Sequence, residues 1–240
     1  MAAMSPPVSR VDAVSDAALG AVVMAAGAGR RMGARPKCLL QRDGVSLLAR
    51  TVGALVASGV REIAVVLGHH AARVNVELDA IEAALPRGVR LHHALNPSPD
   101  DGPGSSLRCG LAALPGNLDA VVVSLADQPL TTAEDVATMV IAWQSRAAGT
   151  SLLVPQFEGQ PGHPLIFDTD VRAAVAGMAS AAGLREWRRA HPSRVAFLPA
   201  SHAHYTRDID SEADLADLQR DAGVALVWPG DLAKVSSAAD

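Results

Sequence analysis

The sequence predicts an α/β fold, an open, mostly parallel, Rossmann-like sheet with helices on both faces, and three observations carry that expectation. Short apolar runs of strand length alternate with longer amphipathic segments of helix length. Hydrophobic residues make up 49% of the 240-residue chain but aromatics only 3%, so the core must be Ala, Val and Leu, as suits helices on a Val-rich sheet. Every motif that could carry chemistry falls just past a predicted strand, where ligands of such sheets sit.

Taken in order, residues 1–18 hold Pro6, Pro7, Arg10, Asp12 and Asp16, which interrupt any apolar stretch, and they are read as a disordered leader. Residues 19–26 (LGAVVMAA) form a continuous apolar run ending at glycine, the pattern of a buried parallel strand. Ser46 opens a helix whose stripe is Leu47, Leu48, Val52, Leu55 and Val56, and Gly59 stops it before a strand at 62–67. A helix at 71–85 closes at Pro86, a strand follows at 89–95, and a helix at 105–114 closes at Pro115. The segment 120–125 (AVVVSL) is the most strand-like in the chain. Thr131 or Thr132 caps the next helix, with Glu134 and Asp135 in its first turn, and that helix is expected to reach about Ala148. Residues 151–167 read as two apolar stretches around a Gly/Pro turn, a hairpin insertion that could form a substrate platform. Helices at 171–178 and 183–190, a strand at 195–198 and a helix opened by Ser211 complete a domain expected to span 19–223, followed by a tail at 224–240.

Composition narrows the function. The net charge is −4 and no Lys/Arg block occurs, which argues against a nucleic-acid partner. No apolar run approaches the roughly 20 residues of a membrane span. Two cysteines, Cys38 and Cys109, make neither a disulfide framework nor a metal motif, so a cytoplasmic setting is expected, with both thiols packed as small apolar groups.

Residues 24–37 (MAAGAGRRMGARPK) leave the first strand and reach a lysine. They fit neither the dinucleotide fingerprint, whose third glycine would fall on Met32, nor the P-loop, which needs glycine where Pro36 stands. What remains is a turn in which Gly27, Gly29 and Gly33 let backbone N–H groups approach a polyphosphate while Arg30, Arg31 and Lys37 supply positive charge. Arg30 suits a fork-like clamp on phosphate oxygens, and Lys37 a point charge beside the reacting phosphorus. Asp127, just past the strand at 120–125, has one outstanding use beside a triphosphate, holding Mg²⁺ through oxygen; its plain alternative is a dipole partner for the next helix. Asp208 and Asp210 alternate around Ile209, so either could reach the same ion, or Asp210 merely precedes a capped helix. The histidine pairs 69/70, 92/93 and 202/204 show no spacing with a third ligand and are expected as surface residues.

With those residues in view the chain resembles the molybdenum cofactor cytidylyltransferases of the MobA-like nucleotidyltransferase superfamily, from about residue 19 to 218. The run AAGAGRRMGARPK is similar to their A-A-G-x-G-x-R-[MF]-G…K signature, which implies nucleotide contacts at Ala25, Ala26, Gly27, Gly29, Arg30 and Lys37. Their metal motif A-D-Q-P stands here as LADQPL, and the later aspartate of their D-[IV]-D-[ST] segment maps to Asp210, so the resemblance implies Mg²⁺ held by Asp127 and Asp210, with Asp208 a bystander. Their S-L-R-x-G segment implies contacts at Ser105, Ser106 and Arg108, with Asn96 and Pro97 in a loop near the base. QPGHP resembles the hairpin of the cytidylyltransferase branch and implies Gly162 and His163 facing the acceptor. One departure is that SAAGLR puts Ala181 where relatives carry aspartate in G-D-x-G-A-R. The implied reaction transfers CMP from CTP to a molybdopterin-type cofactor, for delivery to a molybdenum hydroxylase. A guanylyltransferase, a sugar-phosphate nucleotidyltransferase and a non-catalytic carrier of the finished cofactor are the alternatives.

Overall fold

A computed structural model describes residues 18–179 and 182–233; the expected leader up to residue 17, Ala181 and the end of the expected tail lie outside them. The elements run β1 (Leu19–Met24), β2 (Gln41–Arg42), β3 (Val45–Ser46), α1 (Leu47–Ala57), β4 (Glu62–Leu67), α2 (Ala71–Ala84), β5 (Arg90–Leu95), α3 (Pro103–Ala113), β6 (Ala120–Leu125) and α4 (Ala133–Gln144). They continue as β7 (Leu152–Phe157), β8 (Gln160–Pro161), β9 (Leu165–Asp168), α5 (Thr169–Ala176), α6 (Leu184–Ala190), β10 (Val195–Pro199), α7 (Glu212–Ala222) and α8 (Gly230–Ala233).

The main sheet is ordered β10-β7-β9-β6-β1-β4-β5, with β8 paired to β7. Every neighbour pair along it is parallel except those of β9, which runs antiparallel to both β6 and β7. The expected hairpin is present, but its long arms are strands of this sheet. The apolar face of β9 finds its neighbours in β6 and β7, and Ile166 and Phe167 end fully buried there. The chain leaves β1 for β4 and β5 on one side and returns to β6 on the other, so the order switches between β1 and β6. A crevice opens at the carboxyl ends of strands at such a point.

Alternation along β1 divides the core between the two faces. Ala21 and Val23 join Leu48 and Leu55 of α1, Leu78 of α2 and Met139 and Trp143 of α4. Val22 faces the other way, with Leu107 and Leu111 of α3, Val171 of α5 and Trp187 of α6. The helix starts follow their side-chain caps. Ser46 accepts from Ala49 N–H, while Thr132 with Asp135 and Ser211 with Asp214 form reciprocal capping boxes. α4 ends sooner than expected, at Gln144, because Ser145 turns its hydroxyl back to the Ile141 carbonyl and Arg146 folds over the Trp143 ring.

A smaller cluster, Met32, Leu40, Leu47, Ile209, Leu218 and Val224, joins the loop after β1 to the C-terminal segment. Residues 224–233 therefore dock on the body. Gln41 and Val227 exchange backbone hydrogen bonds of 2.8 and 2.9 Å, and Arg73 pairs with Asp231 at 2.7 Å. No helix among the described residues is long and apolar enough to cross a membrane.

Candidate functional site

A cleft of about 460 Å³ lies at the switch point, floored by Met24 and Leu125, the last residues of β1 and β6. One wall is the glycine turn, from Ala26 through Arg31, and the other is the start of α3 with the segment before it. Gly29 is there for a physical reason. Its φ is +60°, and a Cβ would run into the Arg35 carbonyl, so only glycine closes this turn without strain. A Cβ at Gly27 would meet nothing within 4 Å, so its backbone lies open toward the cleft.

Beneath the turn lies Arg35, 8% exposed. Its Nε donates to the Met32 carbonyl at 2.8 Å, its guanidinium reaches Glu212 at 2.6 Å and the Leu232 carbonyl at 3.4 Å, and it stacks 4.2 Å over Trp228. A buried arginine bonded through all three of its nitrogens fixes a turn that has little apolar content of its own. Sequence reading missed this anchor because its partners lie far along the chain.

At the mouth of the cleft the Lys37 Nζ stands between two carboxylates, 2.6 Å from Asp127 and 2.8 Å from Asp210. Lys37 and Asp127 are largely buried, at 15% and 20% side-chain exposure. Burial pulls the ammonium down, but the Asp127 and Asp210 carboxylates outweigh it and hold its pKa above the ordinary value. The hydrogen bond from Lys37 in turn holds the Asp210 carboxyl below the usual range, helped by Arg31 at 2.7 Å. Two carboxylates meeting at one point, beside a pocket lined with backbone amides, is an arrangement of hard oxygen donors. Asp208, expected as a bystander, belongs to the same acidic group: burial and the charges of Asp127 and Asp210 raise its pKa. Ile209 between the two aspartates is fully buried, and its N–H donates to the Asp127 carbonyl at 3.1 Å, which ties this segment to the end of β6.

The other expected residues divide. Ser106 lines the cleft and, with Ser105, accepts from the Asn96 side chain at 2.9 Å. Arg108 turns away from it, donating to the Ala182 carbonyl at 2.9 Å. Two residues past Ser106 on a helix, Arg108 leaves α3 on a different side. Gly162 and His163 stand at the same sheet edge, because β9 runs antiparallel to β6 and starts where β6 ends. Neither is among the described residues that line the cleft. Gly162 packs against Tyr205, whose carbonyl accepts from His163 N–H at 2.8 Å, and burial with the Arg188 charge nearby takes the imidazole down to about 4. Cys38, behind Lys37, is pushed up to about 12 by burial and the charge of Asp127, so its thiol stays inert.

Residues 21–195 match the MobA-like NTP transferase domain. The chain belongs to this family. As a MobA-like NTP transferase it is a nucleotidyltransferase by superfamily. It is 32% identical over 199 residues to a nicotine blue oxidoreductase of Paenarthrobacter nicotinovorans, covering 79% of this chain and 91% of that one. It is also 32% identical over 157 residues to the bifunctional protein GlmU of Mycobacterium ulcerans, covering 65% of this chain but only 31% of that longer protein. Among solved structures, that of Rv0371c from Mycobacterium tuberculosis H37Rv matches with TM-score 0.67 at 23% identity, covering 86% of this chain and 100% of that one, a likeness of fold.

Several residues of the MobA-like site were not legible beforehand. Asp100 pairs with the exposed Arg30 at 2.8 Å and with His69 at 3.2 Å, so Arg30 is presented to the cleft by an acidic partner 70 residues away. The only signal was the acidic PDDG run beside a proline. The histidine pairs lie at or near the surface as expected, His69 and His93 being exposed, but several have partners: His69 lines the cleft, His70 bonds the Ala28 carbonyl at 3.0 Å, His92 pairs with Glu62 at 2.8 Å, and, against expectation, His202 and His204 share a third possible ligand in Asp135.

Proposed function

We propose that this MobA-like protein transfers CMP from CTP to a molybdopterin-type molybdenum cofactor and releases pyrophosphate. The observation that supports a nucleotidyl transfer is the Lys37 ammonium held between Asp127 and Asp210 at the mouth of the glycine cradle. The Gly27 and Gly29 amides and Arg30 bind the β- and γ-phosphates, and Ser106 lines the far wall. Lys37 stabilises charge on the α-phosphate. Asp127 and Asp210, whose carboxylates both reach the Lys37 ammonium, would hold a divalent cation, Mg²⁺ being the proposed one. Bound there, it supplies charge neutralisation to the triphosphate. The acceptor phosphate is already ionised near neutral pH, so its oxygen attacks the α-phosphorus without a strong base and the bond to the β-phosphate oxygen breaks. Positioning and charge neutralisation then carry the rate. The choice of CTP and of the pterin acceptor rests on the resemblance of the AAG start of the loop and of the QPGHP turn to the cytidylyltransferase branch, with Gly162 and His163 proposed to face the acceptor. Cytoplasmic residence and hand-over to a molybdenum hydroxylase belong to the same reading.

The test mixes purified protein, Mg²⁺ and molybdenum cofactor with each of CTP, GTP, ATP and UTP and follows pyrophosphate and the dinucleotide product. Release with CTP alone supports the proposal. Selective release with GTP moves the protein to the guanylyltransferase alternative, and a requirement for a sugar phosphate as acceptor moves it to that branch. Tight cofactor binding without turnover makes it a carrier.

A second reading has one observation in its favour, the match over nearly the full length of a nicotine blue oxidoreductase. The pyrophosphate of a dinucleotide redox cofactor would sit on the same glycine amides. Oxidation of NADH or NADPH dependent on a dye acceptor, with no pyrophosphate released from any nucleotide, would establish it.

A further inference from the structure

Away from the cleft, at the start of α4, the Asp135 carboxylate is 6% exposed and faces two imidazoles from the loop after β10. Its Oδ2 is fully engaged, accepting from Thr132 N–H and Oγ at 2.8 Å each and lying 2.9 Å from His204 Nδ1. Its Oδ1 instead looks at His202 Nε2 across 3.6 Å, beyond a hydrogen bond. The other ring nitrogen of His202, Nδ1, is buried without a hydrogen-bond partner. The two rings lie 4.0 Å apart, and one donor atom from each of the three residues falls within 4.8 Å of the others. It is the one cluster of three His, Cys, Asp or Glu ligands found among the described residues.

We infer that Asp135, His202 and His204 form a binding site for a zinc-class divalent cation, separate from the nucleotide cleft, that staples the loop after β10 to the N-terminus of α4. In a tetrahedral site with bonds of about 2.0–2.2 Å, donors stand roughly 3.3–3.5 Å apart. The present spacing needs only a small inward turn of half-exposed rings to reach that. Two neutral imidazoles and one carboxylate select zinc, cobalt or nickel over magnesium, which prefers oxygen alone. The exposure of both rings, 42% and 34%, leaves the fourth position to water. Thr132 is already the outer partner that orients the carboxylate. The consequence reaches the cleft through Tyr205, next to His204 in the chain. Its hydroxyl donates to the Asp135 carbonyl at 3.3 Å, and its own carbonyl accepts from Gln128 Nε2 and from His163 N–H, both at 2.8 Å. Gln128 follows Asp127, so an ion here stiffens the backbone that carries the cleft's carboxylate.

The test is a titration of the chelator-treated full chain with Co²⁺, read by visible ligand-field absorption, followed by displacement with Zn²⁺ and with Mg²⁺, and by melting with and without Zn²⁺. We expect one equivalent of Co²⁺ bound with imidazole-type bands, displaced by Zn²⁺ but not by Mg²⁺, and a Tm raised by Zn²⁺. His202→Ala and His204→Gln, both at half-exposed positions, weaken binding about tenfold or more and abolish the Tm rise, while the Asp210→Asn variant keeps the bands. Absence of bands, unchanged affinity in both histidine variants, or loss of the signal in Asp210→Asn instead would overturn the assignment.

Discussion

The turn at 25–36 and the turn at 158–164 both carry glycine and proline and both lie at the carboxyl edge of β6, yet Gly27 in the first is exposed and Gly162 in the second is buried. Gly27 has open space where a side chain would stand, and Arg30 beside it is 75% exposed. Gly162 lies under the Tyr205 carbonyl, and burial keeps its neighbour His163 neutral far into acid. Glycine thus does two jobs: at Gly27 it leaves the backbone uncovered, while at Gly162, as at Gly29, it lets two backbones touch. The sequence separates a cation-bearing phosphate turn from a hairpin turn, but not how deeply each glycine is buried, because that depends on what packs above it.

The sharpest way to break this contrast is to remove the charge at the open turn. Lys37→Ala and Asp127→Ala are each expected to lower pyrophosphate release by about 10²–10³ while far-UV circular dichroism stays unchanged. A near-normal rate in either would take that residue out of the reaction. For the buried turn the probe is acid. The His163 pKa falls from the ordinary 6.5 to about 4 on folding, so between those values the unfolded chain binds a proton that the folded chain refuses. Stability therefore drops as pH falls through that window, by about 3 kcal/mol, and this contribution levels off below it. Urea unfolding at pH 7, 5.5 and 4.5 should show the slope, and His163→Gln should flatten it.

Glycine replacements sharpen the comparison at lower amplitude. Gly162→Ala is expected to cost about 1–3 kcal/mol by overpacking against Tyr205. Gly27→Ala should leave Tm in place and weaken nucleotide binding measured by calorimetry; equal stability losses at the two sites would refute the distinction. The smallest effect belongs to Arg30→Ala. Its ion pair with Asp100 is exposed on both sides, so Tm should not move measurably, and only triphosphate affinity should fall.

How far the sequence could be read follows from the range of each interaction. Strands β4 and β6 and the caps at Ser46, Thr132 and Ser211 were legible because period, propensity and capping act within one turn or strand. The place of β9 between β6 and β7 was not, since strand order depends on contacts across the whole chain. Lys37 and Asp127 could be singled out from motifs past strand ends and Asp210 through the resemblance, but that the Lys37 ammonium stands between the two carboxylates is set by packing across the chain. Arg108 could not be oriented, because the choice between cleft and Ala182 depends on how α3 rolls on the sheet. Asp135 was visible only as an acidic residue in the first turn of α4. Nothing near it in sequence announces His202 and His204, which arrive 67 and 69 positions later.

The arginine under the glycine turn ties the beginning of the fold to its last described segment. On a ribosome, Arg35 emerges early and waits for Glu212, Trp228 and Leu232 to follow. The strands can therefore pair while the cradle has no brace, and the brace closes only once residues 212–232 have been made. A message cut short before Trp228 would still encode every strand of the main sheet but would leave Arg35 without its stacking ring and one of its carbonyls.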